Sequence, residues 1–206
     1  MPGVPSRWRA SPARLVRLLA GLLLFGAGEG LLVHSALGNS PWTVLAEGVA
    51  EQAGLAIGTT TVAISFLILV AWVPLRQRPG LGTIANAVVV GVAIDLTLRV
   101  LGDGSGALAA RALEVVGAIA LVSVGSGFYL TARLGPGPRD GLMTGLAART
   151  GGSIRLTRSL IELSVCAAGV ALGGTLGLGT LAFALLIGPG VQFALARLGA
   201  LGVADL

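Results

Sequence analysis

The sequence predicts an all-α membrane protein of six transmembrane helices, built as two inverted three-helix repeats, each with a short interfacial or re-entrant helix. Three observations predict it: a charge-poor apolar composition, an internal repeat at one fixed offset, and arginines gathered between the apolar runs. Hydrophobic residues fill 54% of the 206 positions and charged residues only 11%, with a mean hydropathy of +0.91. A soluble domain carries about 25% charged residues, so too few are present here to cover a water-facing surface.

The repeat is read from Gly-Pro punctuation. Residues 37–41, LGNSP, recur 97 positions later as LGPGP at 134–138, and GLGT at 80–83 recurs at the same offset at 177–180. The offset also pairs Gly28 and Gly30 with Gly125 and Gly127, Gly48 with Gly145, Gly54 with Gly151 and Gly91 with Gly188. An ungapped register of this kind marks a duplication. It divides the chain into an N-terminal arm over 1–13, expected to be disordered and cytoplasmic, a first membrane repeat over 14–102 and a second over 111–199. The two repeats form one integral membrane domain.

The elements follow in order. The first span, 17–36, comes after Arg7, Arg9, Arg14 and Arg17 and has the outline of a signal peptide. Its repeat partner at 113–133 is internal, so the span is read as a retained helix. Residues 42–53 open just after Pro41, a residue suited to the first helical turn, and stop at Gly54. Twelve helical residues reach only about 18 Å, too short to cross, so this piece is interfacial or re-entrant. Spans at 58–75 and 82–101 complete the first half. The second half repeats the plan with a span at 113–133, a short segment at 139–150 between Pro138 and Gly151, and spans at 157–174 and 179–197. Each span approaches the ~20 residues needed to cross the hydrocarbon core.

Three crossings per half is an odd number, so the second half enters from the opposite side. The basic residues agree. All fourteen are arginine, and a cytoplasmic N-terminus places twelve of them in the cytoplasm, leaving only Arg99 and Arg111 outside. The external 37–57 segment carries Glu47 and Glu51 and no basic residue. Such a bias sets orientation, so both termini are expected in the cytoplasm of a bacterial cell with the protein in its inner membrane.

Several function classes fall away. The arginines lie between apolar runs without interleaved aromatics, so the net charge of +5 points to topology and not to a nucleic-acid partner. Cys166 is the only cysteine and has no companions for a zinc site. No Walker motif, nucleophile elbow or Ser/His/Asp set occurs. No enzyme activity, catalytic residue, metal or cofactor is expected.

Ionisable residues inside a span are costly and mark candidate sites. Glu29 lies in the outer part of the first helix, where Gly26, Gly28 and Gly30 form a face that lets another helix approach. It either binds a cation or proton or pairs with a polar group across the bundle. His34, one turn further out, is read as interfacial. Asp95 and Arg99 stand at i,i+4 and are expected to pair. Asn86 and Gln192 are candidates for interhelical hydrogen bonds, and Glu114 and Glu162 are expected to reach the headgroups. Gly188, Pro189 and Gly190 interrupt the sixth span near its middle, where a proline kinks or breaks a helix. Broken helices at the midplane are where inverted-repeat transporters place substrate.

The two short helices begin at Gly-Pro turns on opposite faces, each presenting unpaired N–H groups and a positive dipole end to an anionic group. Arg139 adds a charge at the cytoplasmic one, with Asp140 beside it, while Trp42 and Thr43 take these places outside. Substrate is therefore expected to engage Glu29, Arg139, Asp140 and the Gly188–Pro189–Gly190 run.

The strings LGPGPRDGLMTGLAARTG at 134–151 and RPGLGT at 78–83 resemble the YczE/YyaS/YitT-type bacterial integral membrane proteins, over almost everything from Arg14 to about Gly199. The resemblance implies a polytopic cell-membrane protein of largely unassigned function, with transport suspected. The first half departs from the second at Asn39 and Ser40, which replace Pro-Gly, and at Thr43, which stands where the second half has Asp140. The leading expectation is a small-solute transporter or permease, with a small molecule or ion as substrate and the lipid bilayer and a homo-oligomer as partners. The alternative is a non-transporting accessory or regulatory membrane protein acting through a partner. The first requires a polar cavity between the halves, and the second a solid interior.

Overall fold

The computed structural model describes residues 6–102 and 106–201. Those residues form eight helices: α1 (Pro12–Ser35), α2 (Pro41–Ala53), α3 (Ile57–Trp72), α4 (Leu81–Leu101), α5 (Leu108–Thr131), α6 (Pro138–Thr150), α7 (Ile154–Ala171) and α8 (Leu178–Ala200). Four of them, α1, α4, α5 and α8, are long and apolar enough to cross a membrane. The α2–α3 pair, bent by 111°, reads as a broken span or a re-entrant loop and gives a fifth. All six sequence-predicted spans are helices. α3 has only 16 residues, and α7 carries Arg155, Arg158 and Glu162.

Local chemistry sets the ends. Pro41 and Pro138 occupy the first turns of α2 and α6, where a missing N–H costs no helical hydrogen bond. Both helices stop at a glycine in the left-handed region, Gly54 at φ 66° and Gly151 at φ 68°. α4 and α8 start alike: the Thr83 hydroxyl accepts from the Gly80 N–H (3.1 Å), and the Thr180 hydroxyl from the Gly177 N–H (3.3 Å).

α1 lies between α4 and α5. A Cβ on Gly26 or Gly30 would strike Ala93 or Thr97 of α4, and one on Gly21 or Gly28 would strike α5. The glycine face read from the sequence is thus a packing surface. Gly21 meets Gly125 and Gly28 meets Ala118, so α1 and α5 run antiparallel. Contacts at the 97-residue offset recur: the Gly82 N–H donates to the Leu134 carbonyl, and the Gly179 N–H to the Leu37 carbonyl, both at 2.8 Å. Leu18, Leu22, Val90, Ile94 and Leu134 fill the core on one side of α1, and Leu32, Ile119, Val122 and Phe183 fill it on the other.

Three expectations are corrected. The arm over 1–13 is not free along its length: Arg7 accepts from the Leu81 N–H at 2.9 Å and donates to the Arg78 carbonyl at 3.2 Å, and α1 begins at Pro12. Residues 1–5 of that arm, and the C-terminal residues 202–206 expected in the cytoplasm, lie outside the described residues. The Gly188–Pro189–Gly190 run does not break its span, because α8 is helical throughout. Gly190 serves packing, since a Cβ there would strike the Ser123 hydroxyl of α5. Asp95 does not pair with Arg99. It turns to α3 and accepts from the Gly58 N–H (2.7 Å), the Thr59 N–H (3.0 Å) and the Thr59 hydroxyl (3.1 Å). Free N–H groups at a helix start are stronger partners for a carboxylate than an exposed guanidinium one turn away.

Candidate functional site: a central cavity

A cavity of about 260 Å³ lies where residues of all eight helices converge. Its lining is organised by the repeat. Phe25 and Val122, Glu29 and Ser126, Trp42 and Arg139, Thr61 and Arg158, Ser65 and Glu162, and Asn86 and Phe183 all line it, and each pair is separated by 97 residues. Positions equivalent in the two halves thus meet in one space. The starts of α2 and α6 both reach it, and the Arg139 guanidinium lies over the Trp42 ring at 5.4 Å from its centroid. This corrects the expectation of two gates on opposite faces. The segment before α2 folds back into the bundle, where the Asn39 N–H bonds the Thr175 carbonyl and Gly38 packs on Gly177.

Five charged side chains line the cavity: Glu29, Arg139, Asp140, Arg158 and Glu162. Glu29, only 1% exposed, accepts from the Ser40 and Thr43 hydroxyls at 2.7 Å each through the same oxygen. Asp140 accepts from the Tyr129 hydroxyl at 2.7 Å. Arg158 and Glu162 form an i,i+4 ion pair at 2.9 Å. Arg139 is different. Among the described residues no hydrogen bond or ion pair holds its guanidinium, which lies over the Trp42 ring and within electrostatic reach of Glu29, Asp140 and Glu162. The indole N–H of Trp42, in a side chain 6% exposed, is likewise without an acceptor.

Two donors without hydrogen-bond acceptors therefore share one wall of a cavity whose carboxylates accept hydrogen bonds from other side chains while attracting the Arg139 charge. For the buried Trp42 N–H, a donor left unbonded costs about 1–3 kcal/mol, which an acceptor-rich group would relieve. The planar guanidinium fork suits carboxylate or phosphate oxygens, and the start of α6 adds the positive end of its dipole. The volume sits just below the roughly 300 Å³ at which small-molecule pockets begin, so a bound group is small.

The other sequence candidates lie elsewhere. Gly188 borders a second hollow described below, and neither Pro189 nor Gly190 lines the cavity. His34 is paired with Glu114 at 3.1 Å, its side chain 7% exposed, so neither reaches out as an isolated interfacial group. Asn86 lines the cavity, whereas Gln192 is exposed. Sequence reasoning missed Arg158, Glu162, Tyr129 and the cavity side of Trp42. For Arg158 and Glu162 the signal was present, as their i,i+4 spacing inside a span replaces the hydroxyl pair Thr61 and Ser65 of the first half.

Comparison with known proteins gives the family. The model of a family of unknown function, DUF6198, matches residues 12–196. An uncharacterized protein of Haemophilus influenzae is 43% identical over 188 residues, covering 91% of this chain and 86% of its own length. The uncharacterized membrane protein YczE of Bacillus subtilis is 35% identical over 182 residues, covering 85% and 82%. The uncharacterized protein YyaS of the same organism is 28% identical over 164 residues, covering 78% and 82%. No solved structure matches.

Proposed function

The chain belongs to the DUF6198 family of membrane proteins, and we propose that it is a small-solute transporter whose central cavity binds an anionic group. The observation that carries this is the pair of donors without acceptors, the Arg139 guanidinium and the Trp42 indole N–H, in a cavity lined by equivalent positions of both halves. Glu29 and Asp140 shape the site while held by Ser40, Thr43 and Tyr129.

The reading includes six spans in two inverted repeats. The antiparallel α1–α5 pair, the matched bonds from Gly82 and Gly179 and the matched caps of α4 and α8 support it. At 1.5 Å per residue α3 and α7 reach about 24 and 27 Å, close to the hydrocarbon thickness of roughly 30 Å. The Arg158–Glu162 pair offsets charge inside α7. We place both termini in the cytoplasm of a bacterial inner membrane on the arginine bias.

Purified protein in liposomes tests the site. Binding and flux of acetate, larger carboxylates and inorganic phosphate are measured for the wild type, Arg139→Ala and Arg139→Lys. A charge-assisted hydrogen bond contributes about 1.5–3 kcal/mol, so Arg139→Ala should weaken binding by about ten- to a hundredfold, with partial recovery in Arg139→Lys. No anion binding in any class, or full affinity in a folded Arg139→Ala protein, would sink the proposal.

A further inference from the structure

The cavity is sealed differently on its two sides. In the first half α3 packs along α4: the Gly58 backbone meets Gly91, and Asp95 caps the start of α3. The equivalent positions in the second half are Arg155, Gly188 and Gln192. A bulky cation replaces the glycine of close approach and an amide replaces the capping carboxylate, and α7 does not pack along α8. The exposures record the result. Ala87, Gly91 and Thr61 are buried, while their equivalents Ala184, Gly188 and Arg158 are exposed. A second hollow is bordered by Arg158 and Glu162 of α7, by Phe183, Ala184, Ile187 and Gly188 of α8, and by Pro41 at the start of α2. Arg158, Glu162, Phe183 and Ile187 also line the central cavity, so the two spaces adjoin.

We propose that the α7–α8 cleft is a lateral portal to the bilayer, and that the solute is a single-chain amphiphile with an anionic head. This rests on the cavity reading above and names its substrate class. Arg139 and Trp42 hold the head group. The tail leaves past Phe183, Ala184 and Ile187 into the acyl region, where no water is needed. The central cavity is too small for a long tail, and the cleft supplies the missing room. Arg158 and Glu162 satisfy each other at the threshold, so a passing tail leaves neither charge without a partner.

A photoactivatable hexadecanoate with a diazirine in its tail tests the portal in proteoliposomes, with peptide mapping of the labelled sites. Label is expected on residues 183–187 of α8, reduced about tenfold by Arg139→Ala, equivalent to about 1.4 kcal/mol. Dodecanoate or dodecyl phosphate should compete, and acetate or inorganic phosphate at equal concentration should not. Ala184→Trp, which fills the cleft away from the head-group wall, should also cut labelling about tenfold. Labelling spread over the lipid-facing surface, unaffected by Arg139→Ala or Ala184→Trp, overturns the portal. If soluble anions still bind in an Arg139-dependent way in that case, the cavity reading survives. If neither amphiphile nor soluble anion depends on Arg139, both fail together.

Discussion

Replacing Asp95 by alanine removes three hydrogen bonds at once, those from the Gly58 N–H, the Thr59 N–H and the Thr59 hydroxyl. Loss of a helix N-cap costs about 0.5–2 kcal/mol, and bonds to a carboxylate lie toward the upper end. A cost of about 2 kcal/mol raises the open fraction of the first turn of α3 by about thirtyfold. Hydrogen–deuterium exchange reads this directly, because amide protection reports the free energy of local opening. Exchange over residues 57–62 should quicken by about thirtyfold in Asp95→Ala, and by less in Asp95→Asn, which keeps a carbonyl acceptor. The wild type contains its own comparison. The equivalent stretch 154–159 starts α7 with Arg155 and Leu156 in place of Gly58 and Thr59, and with Gln192 in place of Asp95. It should exchange faster than 57–62 before any substitution. Equal protection of the two stretches in the wild type, or an acceleration under threefold in Asp95→Ala, would refute the reasoning that this carboxylate holds the first half shut.

Grafting the first-half lock onto the second, with Arg155→Gly and Gln192→Asp together, should draw α7 onto α8. Protection over 154–159 should rise toward that of 57–62, and labelling of residues 183–187 by the diazirine amphiphile should fall. Reporter fusions after residues 78 and 145 should read cytoplasmic and a fusion after residue 50 external; the reverse at 145 would exclude inverted halves.

Much of the fold was legible because membrane helices announce themselves by composition and because the duplication let each half check the other. Pro41, Pro138, Gly54 and Gly151 marked both ends of α2 and α6, since proline and left-handed glycine act through local backbone geometry. Glu29 was singled out because charge inside an apolar segment is costly wherever it sits, and Arg139 and Asp140 because they stand at a helix start just after a Gly-Pro turn. The sequence did not reveal that α2 and α6 begin in the same cavity. That depends on how residues 36–40 fold back against the start of α8, through bonds between Asn39 and Thr175 and between Leu37 and Gly179. The same limit misdirected Asp95, whose i,i+4 neighbour Arg99 was visible while the N–H groups of Gly58 and Thr59 were 36 and more residues away. Gly188–Pro189–Gly190 misled for a different reason. Glycine that permits a break and glycine that permits close packing read alike, and only Ser123 against Gly190 distinguishes them.

Duplication gives every position two environments, and the chemistry of the cavity comes from where the copies have diverged. Glu29 stands opposite Ser126, so one side has a carboxylate and the other a hydroxyl. Ser40 and Thr43 supply hydroxyl donors to Glu29, while their equivalents, Gly137 and Asp140, supply none. One oxygen of the carboxylate on that wall is therefore bonded from within its own half. Trp42 and Arg139 occupy matched backbone places, and because one is an indole and the other a guanidinium they stack; two arginines there would repel. That contact holds the cation in place without using its hydrogen bonds, since a ring face accepts charge but leaves the N–H groups of the fork free. A backbone with matched halves thus carries an unmatched set of side chains. A bound anion would sit off the centre, toward Arg139, on the side where α7 has parted from α8.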